Sequence, residues 1–88
     1  MDIEFPRTSS YDPDRCSVWF RATVNSQVIS CFVTEEALRD HFGLSGRDAR
    51  TYPAKFEENR AAIESVAKTL ILQQRPDSEL VLHSQDFS

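Results

Sequence analysis

A chain of 88 residues is long enough for one hydrophobic core and too short for two. Its composition, 40% hydrophobic and 27% charged, is typical of a folded domain and argues against an intrinsically disordered chain. The formal net charge of −4 argues against general nucleic-acid binding, because a protein that binds the phosphate backbone needs a positive field to displace counterions.

The N-terminal residues MDIEFPRTSS contain no apolar run of the kind found in a signal peptide. No segment of the sequence approaches the roughly 18 consecutive apolar residues of a transmembrane helix. We therefore expect a cytoplasmic protein without membrane contact.

The first part of the chain predicts one short strand followed by a loop. Residues 3–5 alternate apolar and acidic side chains before Pro6, which is typical of a short edge strand. Residues 7–15, RTSSYDPDR, are rich in turn-forming side chains and predict a loop.

A β-hairpin is predicted next. Alternating segments at about residues 17–24 and 27–33 flank Asn25 and Ser26, and this pair suits a tight turn because Asn tolerates positive φ. On the face expected to be buried, the opposed pairs are Val24 with Gln27, Ala22 with Ile29, Phe20 with Cys31 and Val18 with Val33. On the other face they are Trp19 with Phe32, Arg21 with Ser30 and Thr23 with Val28. A turn with an odd number of residues would exchange the two faces.

The same register bears on the two cysteines. Cys16 and Cys31 share a face, but Cys31 lies opposite Phe20, four residues along from Cys16. At about 3.3 Å per residue, this separation is too large for a disulfide. We expect two small, buried, free thiols, which suits a reducing compartment.

Helical signals follow the hairpin. Thr34 followed by Glu35 and Glu36 predicts the start of a helix, because threonine caps helices and acidic side chains are favourable at their N-terminal end. Gly43 is expected to end this helix. The connector GLSGRD is expected to contain a helical turn at residues 45–49.

A longer helix is predicted to begin near Thr51, with Pro53 at an early helical position, and to end at Pro76. Apolar residues recur along it at spacings of three, four and seven: Tyr52, Phe56, Ile63, Val66, Ala67 and Leu70. Residues 79–83, ELVLH, predict a short strand, and the last five residues a tail.

The order of three strands, two helices and a last strand indicates an α+β fold. We expect a small antiparallel or mixed β-sheet with two helices packed on the face that carries Val18, Phe20 and Ala22. Residues 1–88 are expected to form a single domain.

The order of several segments resembles a known family. IEFP near the start, then YD, VWFRATVN, SCFVTEEAL and FEENRAAIESVAKTLI are arranged as in a family of short bacterial proteins known as domain of unknown function 1488. The resemblance covers nearly the whole chain. This chain differs at Asn25-Ser26, where Asn-Gly is expected, and in LVLH, which lacks the aromatic residues of some relatives. The resemblance implies a compact α+β domain and carries over no catalytic residues.

No catalytic, metal or cofactor site is predicted. Cys16, Cys31, His41 and His83 are scattered, without the local CxxC or HxxxH pair with which zinc sites normally begin. Cys31 and His41 are candidates for a nucleophile pair, but burial among apolar side chains raises the pKa of a thiol and makes it inert. The sequence also lacks GxSxG, HExxH and a glycine-rich phosphate loop.

Two polar candidates lie in the helical half of the chain. Asn59 falls within the apolar stripe of the long helix, so its amide must find partners, and backbone groups are the favoured ones. In the alternative interpretation, Asn59 and Arg60 form the polar floor of an anion or carboxylate pocket. Arg47, Arg50 and Lys55 form a basic patch, which we interpret as solvated surface rather than as a contact for nucleic acid.

The second face of the hairpin presents a half-apolar strip made by Trp19, Phe32, Val28 and the stem of Arg21. Three interpretations remain open. Chain segments carrying Phe5, Tyr11 or Phe87 cover the strip, a second copy of the chain packs on it, or a different protein binds there. We favour cover by the chain itself over either kind of partner, since aromatic strips in small domains are usually buried internally.

The preferred function is a non-catalytic interaction or accessory module. Its partner would be an unknown protein or a second copy of the chain, bound through Trp19, Arg21, Val28 and Phe32. The alternative is an enzymatic or ligand-binding domain with a pocket near Asn59 and Arg60. Nucleic acid is disfavoured as a partner, and no cofactor is expected.

Overall fold

The computed structural model describes residues 2–43 and 51–87. Within these residues, five strands form a mixed sheet, accompanied by three α-helices and a C-terminal 3-10 helix. In chain order the elements are β1 (Ile3–Glu4), β2 (Ser9–Asp12), β3 (Ser17–Val24), β4 (Gln27–Thr34), α1 (Glu35–Phe42), α2 (Thr51–Glu58), α3 (Arg60–Gln74), β5 (Glu79–Leu82) and the 3-10 helix (Ser84–Phe87). The predicted α+β class with a mixed sheet is confirmed.

The β3–β4 hairpin forms the centre of the sheet. Asn25 and Ser26 have φ angles of 50° and 73°, so both central residues of the turn are left-handed, as a type I′ turn requires. The two-residue turn confirms every predicted pair of the hairpin, from Val24 with Gln27 to Val18 with Val33. Strands β1 and β2 pair antiparallel with the other edge of β3, and β5 pairs parallel with β4.

The inner face of the sheet and the helices share one buried cluster. Val18, Phe20 and Ala22 have no exposed surface. The helical members of the cluster are Ala37, Leu38, Tyr52, Phe56, Ile63, Ala67, Leu70 and Ile71. The predicted packing of helices on this face of the hairpin is therefore confirmed.

Helix α1 follows the sequence closely. The Thr34 hydroxyl accepts a hydrogen bond from the Ala37 amide at 3.1 Å, and Gly43 ends the helix with φ of 71°. Both features satisfy backbone groups that a helix end leaves without partners.

The predicted loop at residues 7–15 contains a strand, β2. Its turn-forming residues pair with the part of β3 that β1 does not reach, from Ser9 with Phe20 to Asp12 with Ser17. Without β2, the backbone N–H and C=O groups along that edge of β3 would lack hydrogen-bond partners. The need to pair them outweighs the low strand propensity of the segment.

The long C-terminal helix is interrupted at Asn59, and this differs from the prediction of one continuous helix. Asn59 has φ of −120° and ψ of 19°, and its side-chain amide donates to the Lys55 carbonyl at 3.0 Å. Asn side chains compete with the helical hydrogen-bond ladder in this way. The interruption leaves the predicted apolar stripe facing the core, apart from the half-buried Val66.

The two cysteines have different environments. Cys31 is buried and free, as predicted, and burial raises the pKa of its thiol to about 12. The prediction of a buried Cys16 is wrong. It is exposed with φ of 48°, because the β3 ladder begins one residue later and Cys16 belongs to the turn.

Two further outcomes concern the connector and the C-terminal end. Four of the five residues predicted as a tail, Ser84–Phe87, form the 3-10 helix, which packs against α1 with the Phe42 and Phe87 ring centroids 5.4 Å apart. The helical turn predicted at residues 45–49, together with Arg47 and Arg50, lies outside the described residues. None of the helices described is long and apolar enough to cross a bilayer.

Ser26→Gly is expected to stabilise the protein by about 0.5–1 kcal/mol, because Ser carries a Cβ penalty in the left-handed region that exceeds the extra chain entropy of Gly. Urea unfolding measures the change. Ser26→Ala is the matched control, since it removes the hydroxyl but keeps Cβ, and it should give no gain. Equal stability of Ser26→Gly and Ser26→Ala would contradict the role assigned to φ.

Candidate functional site

The face of the sheet that points away from the helices, here called the outer face, carries the predicted interaction residues. Its central members are Trp19, Arg21, Val28, Ser30, Phe32, Glu79 and Val81. None of them belongs to the buried cluster that the sheet shares with the helices. The structure thus brings together all four residues singled out from the sequence and adds three, two of them from β5.

Strand register arranges the centre of the outer face in two rows across β3, β4 and β5. One row is apolar and contains Trp19, Phe32 and Val81. The next row is polar and contains Arg21, Ser30 and Glu79. Val28, whose side chain is 51% exposed, lies further along β4. The outer face therefore has an apolar centre beside a row with a cation at one end and an anion at the other.

Arg15 covers part of the apolar row. Its guanidinium carbon lies 4.2 Å from the centroid of the Phe32 ring, and its Nη1 forms an ion pair with Glu79. Phe32 is only 8% exposed although it lies outside the core cluster, and Arg15 contributes to its cover. Arg15 and Glu79 are themselves 43% and 45% exposed, and such exposed pairs contribute little to stability.

Arg21 lies beside Trp19, with its guanidinium carbon 5.5 Å from the ring centroid. Its Nε is buried and has no hydrogen-bond partner among the residues described. A buried donor without an acceptor is unfavourable, and the Arg21 side chain must shift before a bound molecule can supply one.

The expectation that Phe5, Tyr11 or Phe87 covers the outer face is wrong. All three rings pack against the core cluster on the helical side of the sheet. The Phe5 ring centroid lies 6.3 Å from that of Phe20, and the Tyr11 centroid lies 4.9 Å from that of Tyr52. Strand parity explains this for Tyr11, which is opposite Val18 on the inner face.

Asn59 and Arg60, the second pair of predicted site residues, lie where α2 meets α3. Arg60 donates at 2.7 Å to Glu57, to Glu64 and to the Pro6 carbonyl, and it is only 9% exposed. The guanidinium is thus neutralised by two carboxylates and ties the helices to the β1–β2 connection. This geometry favours the structural interpretation, and the anion pocket stays an untested prediction.

A cluster that no pattern in the sequence predicts surrounds Glu35 at the start of α1. The hydroxyls of Tyr11 and Tyr52 each donate to its carboxylate at 2.9 Å, and Arg39 forms an ion pair with it at 3.0 Å. Burial alone would raise the pKa of Glu35, but the bonds from Tyr52 and Tyr11 and the charge of Arg39 outweigh it and lower that pKa. Burial and the bond to Glu35 raise the pKa of Tyr11 to about 12.

A third polar cluster joins α1 to the 3-10 helix. The Ser84 hydroxyl donates to Asp40 at 2.5 Å and lies 3.3 Å from Nε2 of His41. The Asp40 carboxylate therefore bonds Ser84 and does not orient the His41 imidazole. In a catalytic triad, by contrast, the carboxylate orients the imidazole. Among the described residues, no group of three or more His, Cys, Asp or Glu side chains is placed to hold a metal ion.

Glu35→Gln is expected to lower the free energy of unfolding by about 1–3 kcal/mol near neutral pH, because it weakens charge-assisted hydrogen bonds. Since folding lowers the pKa of Glu35 below its ordinary value of 4.5, the stabilisation is present above that pH and is lost as the pH falls through the folded-state pKa. The difference between parent and variant should therefore shrink in acid. Urea unfolding at several pH values measures it.

Glu36→Gln is the matched control for this experiment, because Glu36 is the exposed neighbour on the same helical turn. It should change stability little at any of these pH values. A Glu35→Gln effect that is independent of pH would contradict the assigned charge-assisted bonds.

Comparison with known proteins identifies the family. The family model described as protein of unknown function (DUF1488) matches residues 3–82. A crystal structure of a protein of unknown function from the same family, from Shewanella loihica PV-4, is similar to this chain with a TM-score of 0.83 and 23% identity over 93% of this chain and 94% of that one. No match was found among curated proteins. The chain belongs to the DUF1488 family.

Proposed function

We propose that this protein is a small non-catalytic interaction module and that the outer face of its sheet binds another protein chain. The observation that carries the proposal is the arrangement of Trp19, Arg21 and Phe32 outside the core cluster. Tryptophan and arginine are enriched where binding energy is concentrated in protein interfaces.

The chemistry of the outer face supports protein binding over small-ligand binding. It combines a row of apolar side chains with the buried, unpartnered Nε of Arg21. A partner that covers the apolar row and offers an acceptor to the Arg21 guanidinium would be favoured both by burial of apolar surface and by a new hydrogen bond. Small ligands instead bind preferentially in concave pockets, whereas this surface is one side of a sheet.

The alternative of an anion pocket at Asn59 and Arg60 is less well supported. The Arg60 guanidinium already has two carboxylate partners and one carbonyl partner. An incoming anion would have to displace Glu57 or Glu64 from bonds of 2.7 Å, and it would meet their charge in the process.

We also propose a cytoplasmic location. Both cysteines are free, and Cys16 is exposed. Exposed free thiols persist in reducing compartments and tend to be oxidised elsewhere.

The proposed function predicts that Trp19→Ala combined with Arg21→Glu abolishes capture of partners from a native lysate. The parent chain and the double variant are immobilised in equal amounts after circular dichroism and thermal melting have shown that both are folded. Leu72→Ala is the matched control, because Leu72 is 48% exposed on α3, away from the sheet. It should capture the same proteins as the parent.

Capture of the same set of proteins by all three chains would contradict a binding role for the outer face. So would the absence of any captured protein, including added copies of the chain itself, with the parent.

A further inference from the structure

We propose that the occupant of the outer face is a second copy of this chain, related to the first by a twofold axis that runs along β4. The inference rests on the proposed function, since it names the partner of the same surface. It follows from the charges and apolar side chains that the strand register places on either side of β4.

The polar row is complementary to itself about β4. Arg21 on β3 and Glu79 on β5 flank Ser30 on β4. With neighbouring strands about 4.8 Å apart, the cation and the anion lie on opposite sides of β4 at backbone positions about 10 Å apart. A half-turn about β4 exchanges the two sides, so Arg21 of each copy meets Glu79 of the other. One symmetric contact thus forms two ion pairs.

The apolar side chains match under the same operation. Trp19 and Val81 flank Phe32 at equal distance from β4, so each Trp19 meets the Val81 of the other copy. Phe32 and Val28 lie on the axis and each meets its own equivalent. A twofold interface requires this kind of self-complementary surface.

The lack of an acceptor for Nε of Arg21 is consistent with this arrangement. Its Nε is buried without an acceptor in the single chain, and a shift of the side chain toward the Glu79 carboxylate of the second copy would supply one. A different partner would have to carry an acid and an apolar patch at the matching spacing. The outer face of this chain already has both.

Two features make the predicted association weak. Arg15 lies over Phe32 and pairs with Glu79, so it must leave both before the second copy can dock. Only β3, β4 and β5 of the two copies overlap under this operation, since β1 and β2 have no counterpart beyond β5. Three strands, of which the longest has eight residues, give a contact about 14 Å wide and about 27 Å long, which is smaller than standard specific interfaces and typical of weak ones. We therefore expect dimerisation that depends on concentration.

Analytical ultracentrifugation of the purified full chain, from about 1 µM to about 1 mM, tests the proposal. The parent should change from monomer to dimer within this range. Arg21→Glu alone and Glu79→Arg alone should each weaken dimerisation by about tenfold or more, because each places two like charges against each other. Lys68→Glu, a matched charge reversal on the exposed side of α3, should leave it unchanged.

The decisive sample is an equimolar mixture of Arg21→Glu and Glu79→Arg chains. In the heterodimer, Glu at position 21 meets Arg at position 79, and the original Arg21 and Glu79 meet at the other contact. The mixture should dimerise at least as well as the parent, and so should the chain that carries both substitutions. Thermal melting of each variant alone confirms that it is folded.

A parent that is monomeric across the whole range overturns the second copy as occupant. It leaves the proposed function standing if capture from lysate still depends on Trp19 and Arg21. A dimer that withstands both charge reversals, or single variants that the mixture fails to rescue, also overturns the proposal, because the contact would then lie elsewhere, for example at the β5 edge.

Discussion

The tight turn at Asn25 and Ser26 is the constraint on which the rest of the structure depends. Two left-handed residues fix an even register between β3 and β4. That register sends Val18, Phe20 and Ala22 to the helices and Trp19 and Arg21 to the opposite face. One additional residue in the turn would shift the pairing, and it would exchange the core for the proposed binding surface.

Around this hairpin, a few polar groups hold the remaining elements in place. Glu35 receives hydroxyl bonds from β2 and α2 while it occupies the first turn of α1, so one carboxylate joins three elements. At the junction of α2 and α3, Arg60 bonds Glu57 of α2 and the Pro6 carbonyl in the connection between β1 and β2. These charged side chains have their partners within the fold, which distinguishes them physically from Arg21, whose Nε is buried without one.

The contrast between Arg15 and Arg21 connects structure with the proposed function. Both guanidinium groups lie on the outer face near an aromatic ring, but only Arg15 has an ion-pair partner among the residues described. Arg15 shields Phe32 in the single chain and holds Glu79, the residue that a second copy would need. The same exposed pair that covers Phe32 in a lone chain would therefore compete with association and keep it reversible.

The amino-acid sequence by itself determined the hairpin, its register, the boundaries of α1 and the apolar stripe of the C-terminal helices, because these features depend on neighbours a few residues apart. Alternation, a turn dipeptide and helix caps are local signals. Only the tertiary structure decided the strand at Ser9–Asp12, the interruption at Asn59, the exposure of Cys16 and the position of Arg15 over Phe32. The strand and the place of Arg15 depend on partners distant in sequence, the open edge of β3 and Glu79. The interruption is accompanied by a local bond from the Asn59 side chain to the Lys55 carbonyl, which the helical pattern of the sequence does not indicate. The Glu35 cluster and the two rows of the outer face were also decided by the tertiary structure, because each is formed by residues from three separate elements.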